Sequence, residues 1–263
     1  LINLRKNDGS VQINGHAARL DCAVRPGDSI VLQLPESYED SDRVSNIAPL
    51  GRSVPVLYED EDFLVMDKPA GMPVHPSRAH IYGTLANSFA AAYPGIIFRP
   101  ITRLDADTSG AVLIAKNKHA ASIDRAMITR IYYGVTDFPV LAAGGIIDAG
   151  IERETENLPK RIVRQDGKRA VTHFRRICMK NGLTLLRFSL ETGRTHQIRV
   201  HCAYMGFPLC GDAMYGGNTG NMPRQALHAA YIRFINPLSG KKINVKSGLP
   251  ADIHALISRN NEF

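Results

Sequence analysis

Apolar positions along the chain fall mostly in short alternating or continuous runs of strand length, with few stretches of helical period. Near the start, "SVQINGHAARLDCAVRPGDSIVLQL" reads as a short strand, the turn Asn14-Gly15, a turn at Pro26-Gly27-Asp28 and an alternating strand Ile30–Leu34. Residues 36–53 are polar and acidic and read as a linker. Strands are expected at 54–58 and 63–67, flanking the turn-like Glu59–Asp62. Pro69, Gly71, Pro73 and Pro76 then forbid helix and impose an ordered loop. "GTLANSFAAAY" predicts a helix stopped by Pro94 and Gly95; a strand follows at 111–115, a helix at 117–128 and the strand "RIYYGV". Residues 142–170 read as surface excursions. "AVTHFRRI" and "LTLLRFSL" predict a hairpin around Asn181-Gly182. A helix is expected over 195–205, capped by Thr195, with Ile198, Cys202 and Met205 on one face and Gly206 as its stop. "ALHAAYIRF" and "KKINVKS" give two last strands, and "LPADIHALISR" a closing helix.

Strands outnumber helices and join through short turns, which predicts an α+β fold with a largely antiparallel sheet. Domain boundaries are expected at 1–35, 36–53 and 54–263.

The 263 residues carry 32 Lys and Arg against 25 Asp and Glu, a net charge of +7. A basic surplus favours a polyanionic partner through phosphate contacts and counterion release. No apolar run approaches the length of a membrane span, and no secretory leader pattern opens the chain, so a cytoplasmic home without membrane contact is expected. The four cysteines, Cys22, Cys178, Cys202 and Cys210, form no Cys-x-x-Cys pair. Buried thiols are expected, with no metal. No phosphate-binding glycine loop appears, and no cofactor is expected.

The chemistry gathers in two clusters. In "ITRLDADTSGAVLIAKN", residues 101–117, Arg103-Leu104-Asp105 alternates, so an extended chain sends Arg103 and Asp105 to one side and Leu104 to the other. An aspartate held beside a guanidinium stays ionised and can act as acceptor, ligand or nucleophile. Asp105 and Asp107 lie too close on one strand to flank a glycosidic bond from both sides. In "ETGRTHQIRVHCAYMG", residues 191–206, Arg194, His196, Gln197, Arg199 and His201 crowd eight positions. Read alone, that density is either a solvated basic face or a site. His196 and His201 have neither the spacing nor the acid of a zinc helix.

Taken together, these stretches resemble the RluA-type pseudouridine synthases. "TRLDADTSGAVLIAKN" is similar to that family's H-R-L-D-x-x-T-S-G-x-x-x-x-A-K signature, and "LETGRTHQIRVHCAYMGFPLCGDAMYGG" to its later motif. "FLVMDKPAGMPVHP", "IYYGV", "GKRAVTHF" and "LHAAYIRFINP" follow in the family's order. Thr102 stands where the family usually has histidine, and Arg130 near where lysine is common. Residues 11–34 are similar to the tail of the small RNA-binding domain that precedes many members. The resemblance implies a mixed, mostly antiparallel sheet with flanking helices and a cleft across its middle. It implies isomerisation of uridine in RNA, ribosomal or transfer, to pseudouridine. Asp105 then matches the catalytic aspartate and Tyr132 the tyrosine that packs on uracil. Arg194 matches the basic residue paired with the aspartate, and Arg103 an arginine that helps displace the base. Lys116, His196 and Arg199 are read as further RNA contacts, and a monomer is expected.

Overall fold

The computed structural model describes residues 11–19, 21–32, 47–77, 80–156 and 158–258. The chain divides into two compact units, residues 1–46 and 47–263.

In the first unit, β1 (Val11–Ile13), β2 (His16–Ala17) and β3 (Ile30–Leu32) form a small antiparallel sheet in the order β2-β1-β3. Asn14 and Gly15 both have positive φ, the two-residue turn that Asn-Gly favours. The expected linker lies mostly outside the described residues. Its described part, residues 47–53, belongs to the second unit, where Ile47 packs on the core.

The second unit runs β4 (Val56–Glu59), β5 (Phe63–Lys68), α1 (Leu85–Ala92), β6 (Arg99–Pro100), β7 (Ser109–Ala115), α2 (Lys118–Ala121), β8 (Thr129–Thr136) and β9 (Gly144–Asp148). It continues through β10 (Ile151–Arg153), β11 (Arg161–Val163), β12 (Val171–Lys180), β13 (Leu183–Leu190), α3 (Gln197–Tyr204), β14 (Leu227–Ile235), β15 (Lys242–Lys246) and α4 (Ala251–Ser258). Among the described residues, ten strands share one sheet, ordered β4-β5-β7-β14-β8-β13-β12-β9, with β6 beside β7 and β15 beside β14. Within it only β7 and β14 pair in parallel. The α+β, mostly antiparallel expectation matches this architecture.

Strands β5 and β7 explain why the sheet is stable at its centre. Phe63, Val65, Leu113 and Ala115 enter one core cluster, while Leu64, Met66, Val112 and Ile114 enter another on the opposite face. Period-two alternation of apolar residues thus buries β7 on both faces. A third cluster, around Phe188, Leu186, Tyr132 and Ile198, covers the β8–β13 half and receives α3.

Helix α1 starts where expected. The Thr84 hydroxyl accepts a hydrogen bond from the Asn87 amide, and the Asn87 side-chain oxygen accepts one from the Thr84 amide, a reciprocal cap. The hairpin turn Asn181-Gly182 also holds, with both residues at positive φ. Four expectations need correction. The helix expected at 117–128 stops at Ala121, because the Ser122 hydroxyl bonds back to the His119 carbonyl and Asp124 caps a separate 3-10 turn at Arg125–Met127. Residues 142–170 are not loose excursions: they form β9, β10 and β11, and β9 completes the sheet edge on β12. Thr195 does not cap α3, which begins at Gln197 after a left-handed His196. Cys202 and Cys210 are buried, but Cys22 and Cys178 are exposed. Cys178 follows a β-bulge on the outer half of β12, where the strand leaves the core.

Candidate active site

The segment before β7 is fixed from three directions. The Thr108 amide donates to the Asp105 carbonyl at 3.1 Å, closing a tight turn. Leu104 points into the core between two clusters, so its neighbours Arg103 and Asp105 face outward, as alternation requires. Lys68, fully buried, donates from Nζ to the carbonyls of Pro69, Met72 and Ala106 at 2.7–2.9 Å. It ties the proline-rich loop to the turn that carries Asp105. Burial pushes this ammonium down to about 7, while the three carbonyl acceptors use all three of its N–H groups and favour the charged form. The small residues Thr108-Ser109-Gly110 are explained one by one. The Thr108 hydroxyl accepts from Gln225 (3.2 Å), and Ser109 bonds the His228 ring (3.0 Å). Gly110 has φ +114, and a Cβ there would sit 2.3 Å from the Ala229 carbonyl oxygen of β14.

Asp105 faces Arg199 of α3. Arg199 holds Asp212 with two nitrogens, at 2.7 and 2.8 Å, and donates from its third to Asp105 at 3.1 Å. Its guanidinium also lies 5.0 Å from the centre of the Tyr215 ring. Burial disfavours its charge, but the hydrogen bonds and charges of Asp212 and Asp105 outweigh this and raise its pKa. The aspartate's cationic partner is therefore Arg199, not Arg194 as expected. Arg194 lies on the loop before α3, and its Nε donates to the Arg169 carbonyl at 3.0 Å. It lines the cleft, but no Asp105 contact to it occurs among the described residues.

His196 reaches Asp105 from a strained position. Its φ is +58, uncommon for a residue with a Cβ, and its side chain makes no capping hydrogen bond. Instead Nδ1 lies 2.8 Å from the Tyr215 hydroxyl and Nε2 lies 3.9 Å from Asp105 Oδ2. The Tyr215 oxygen is itself fixed by the Arg161 amide at 2.9 Å. Burial lowers the pKa of His196 more than Asp105 raises it, so the ring is neutral.

A cavity of about 360 Å3 opens above this cluster, with Asp105, Tyr132, Arg103, Arg130 and Arg194 among its walls. A pocket of about 60 Å3 shares these walls except Arg130 and adds His196 and Arg199. Tyr132, in the middle of β8, is 7% exposed, and burial raises its hydroxyl pKa. Arg103 is exposed at both cavities. Arg130 presents a buried Nε with no hydrogen-bond partner among the described residues. Lys116 is not brought to the site. It follows the far end of β7 and binds Glu59 at 2.9 Å and the Asp60 carbonyl at 2.8 Å. Asp107 is exposed, and its carbonyl accepts from Arg224.

The dense polar helix is thus no solvated face: Gln197, Arg199 and His201 are all buried. Gln197 folds back to accept from Thr192 and from the Arg194 amide, and donates to Val171 and Thr172. It holds the 192–194 loop in place as a cleft wall. Sequence reasoning missed Asp212, Tyr215 and Lys68. Asp212 sits in "CGDAMYGG", where Gly211 has φ +74 and a Cβ would lie 1.9 Å from the Arg224 carbonyl oxygen. A glycine forced beside an acid was the signal available. Among the described residues, no three His, Cys, Asp or Glu side chains gather as a metal site. No helix there is long and apolar enough to cross a membrane.

Comparison with known proteins gives a consistent result. The model of the RNA pseudouridylate synthase family matches residues 62–204. The chain is 37% identical to the uncharacterized RNA pseudouridine synthase YjbO of Bacillus subtilis, over 99% of this chain and 94% of that protein. It is 35% identical to ribosomal large subunit pseudouridine synthase D of Pseudomonas aeruginosa, over 95% of this chain and 84% of that one. The structure of human RNA pseudouridylate synthase domain containing 1 shares the fold, with a TM-score of 0.60 at 24% identity, covering 80% of this chain and 96% of that one.

Proposed function

This chain belongs to the RluA-type RNA pseudouridine synthases, and on that premise we propose that Asp105 drives the isomerisation of uridines in large-subunit ribosomal RNA. The observation that carries the proposal is the Asp105 carboxylate, held by a charge-assisted bond to Arg199 in a basic cleft that Tyr132 also lines.

The reaction breaks the bond between C1′ of the ribose and N1 of uracil. It then forms a bond between C1′ and C5 of the same base; C5 loses its proton and N1, freed from the sugar, gains one. Atoms balance without an oxidant or reductant. Asp105 begins it by attacking the sugar or the base, or by removing a ribose proton; each route uses its unprotonated oxygen. Arg199 fixes that oxygen, and its second carboxylate partner, Asp212, keeps the guanidinium from swinging away. The detached uracil turns in its own plane against the Tyr132 ring. The raised pKa of Tyr132 keeps its hydroxyl protonated, suiting it to donate rather than to start as a base. The target base leaves its stack at a cost of a few kcal/mol. Arg103, exposed and lining the cleft, fills the gap in this reading. Ribosomal RNA is preferred as substrate because relatives such as the Pseudomonas protein are named for it.

The test is release of tritium from 5-tritiated uridine in large-subunit ribosomal RNA. The wild-type chain should release it. Asp105→Asn should abolish release while RNA affinity stays within several-fold. An active Asp105→Asn variant refutes the assignment of the carboxylate.

A further inference from the structure

The structure sorts the cations outside the Asp105 turn. Arg164 pairs with Asp166, and Arg169 binds Glu191 at 3.0 Å. The Arg176 guanidinium donates to the carbonyls of Val140 and Leu141, both at 2.7 Å. Arg199 is buried against Asp212 and Asp105, and Arg224 is paired with Asp252. Lys168 and Arg175 make no salt bridge among the described residues.

Lys168 does not stand alone. It lines a second cavity of about 290 Å3 with Arg153, Arg161 and Arg194. Four cations face one acid, Glu152, whose Oε1 is turned back onto the Arg153 amide at 2.9 Å. Arg153 spends one nitrogen on the Glu156 carbonyl, and Arg194 spends Nε on the Arg169 carbonyl. Their remaining N–H groups, and those of Arg161 and Lys168, make no hydrogen bond or salt bridge to a carboxylate among the described residues, although the charges of Lys168 and Arg161 act on Glu152. The β10–β11 pair fixes the spacing, with Arg153 opposite Arg161 and Glu152 opposite Ile162. Gly193, Arg194 and Thr195 line this cavity and also the Asp105 cleft. An anion here lies next to the target nucleotide, separated from it by one loop.

We propose that this cavity is a phosphate subsite that takes a backbone phosphate of a nucleotide flanking the uridine in the cleft. The proposal rests on the reading of the cleft given above. Apart from Glu152 its walls offer cations rather than an aromatic platform, so it reads the charge of the strand and not its bases.

The experiment uses the full chain, with tritium release measured at several salt concentrations. Arg161→Gln combined with Lys168→Gln keeps the Arg161 amide that anchors Tyr215. It should raise KM about tenfold and lower the slope of log KM against log salt by roughly one to two. The matched control, Arg164→Gln with Arg169→Gln, removes the same charge from ion-paired neighbours and should move KM less than threefold. Equal effects in the two pairs overturn the subsite in favour of diffuse attraction. A second measurement needs no variant. In oligonucleotides spanning the modified site, neutral methylphosphonate linkages are placed one at a time. One linkage beside the target should weaken wild-type binding and leave the double variant unaffected. If every linkage weakens both proteins alike, the subsite is wrong even though the enzyme is active. Absence of tritium release from the wild type overturns the cleft reading itself, and this proposal with it.

Discussion

Arg199 is the residue on which the cleft's electrostatics turn. It neutralises Asp212, which is 1% exposed, and steadies Asp105 with the nitrogen left over. Removing it strands a buried carboxylate, which costs about 3–5 kcal/mol. Arg199→Ala should therefore lose activity and shift the urea midpoint strongly. Arg199→Lys supplies charge but no three-pronged fork, so it should recover part of the stability and little of the turnover. The local motif made Asp105 legible, because alternation around Leu104 fixes its direction within a few residues. The choice between Arg194 and Arg199 was not legible in the same way. Both lie in one motif, and only the phase of α3 decides which points inward. That phase is set by the left-handed turn at His196, which no periodicity announces.

At the scale of elements, the Asp105 turn depends on contacts distant in sequence. Gly110 lets β7 approach β14 closely enough for their parallel pairing. Gly110→Ala should destabilise the protein by at least about 2 kcal/mol, read by thermal melting, since both the φ and the Ala229 carbonyl oppose a Cβ. Lys68 acts between elements too. Lys68→Met leaves the Pro69, Met72 and Ala106 carbonyls without their donor and should cost about 1–3 kcal/mol. It should also loosen the Asp105 turn, so kcat should fall more than RNA affinity. Short alternating runs and Asn-Gly turns made the strands of the sheet readable. The strands β9, β10 and β11 escaped because glycines and charges mask their period: Gly144, Gly145 and Gly150 each pack against backbone or a Phe ring, leaving no side chains to alternate.

Across the whole molecule, His75, His196, His201 and His228 all have pKa values lowered, in each case mainly by burial. They fold neutral. The unfolded chain protonates them near pH 6.5, above their folded values, so it binds more protons as pH falls. Their contribution is present in full above about pH 6.5 and is lost as pH drops through the folded values. Each can add up to about 1.4 kcal/mol of loss per pH unit within that window. Urea midpoints should therefore fall steeply between pH 7 and 5, beyond what exposed histidines give; a flat profile would show these rings to be protonated in the native state. The sign of the net charge and the two motifs gave the partner and chemistry. The pairing of surface cations needed three dimensions, because Arg169 meets Glu191 and Arg224 meets Asp252 across more than twenty residues.

The unequal sharing of one guanidinium has a practical consequence. Since Asp212 keeps two of its three nitrogens, neutralising Asp105 as Asn leaves no buried cation without an anion. On the proposed reading the Asp105→Asn chain can thus serve as bait: tagged and mixed with cellular transcripts, it should retain its natural targets by their shape, and sequencing the captured strands would name them.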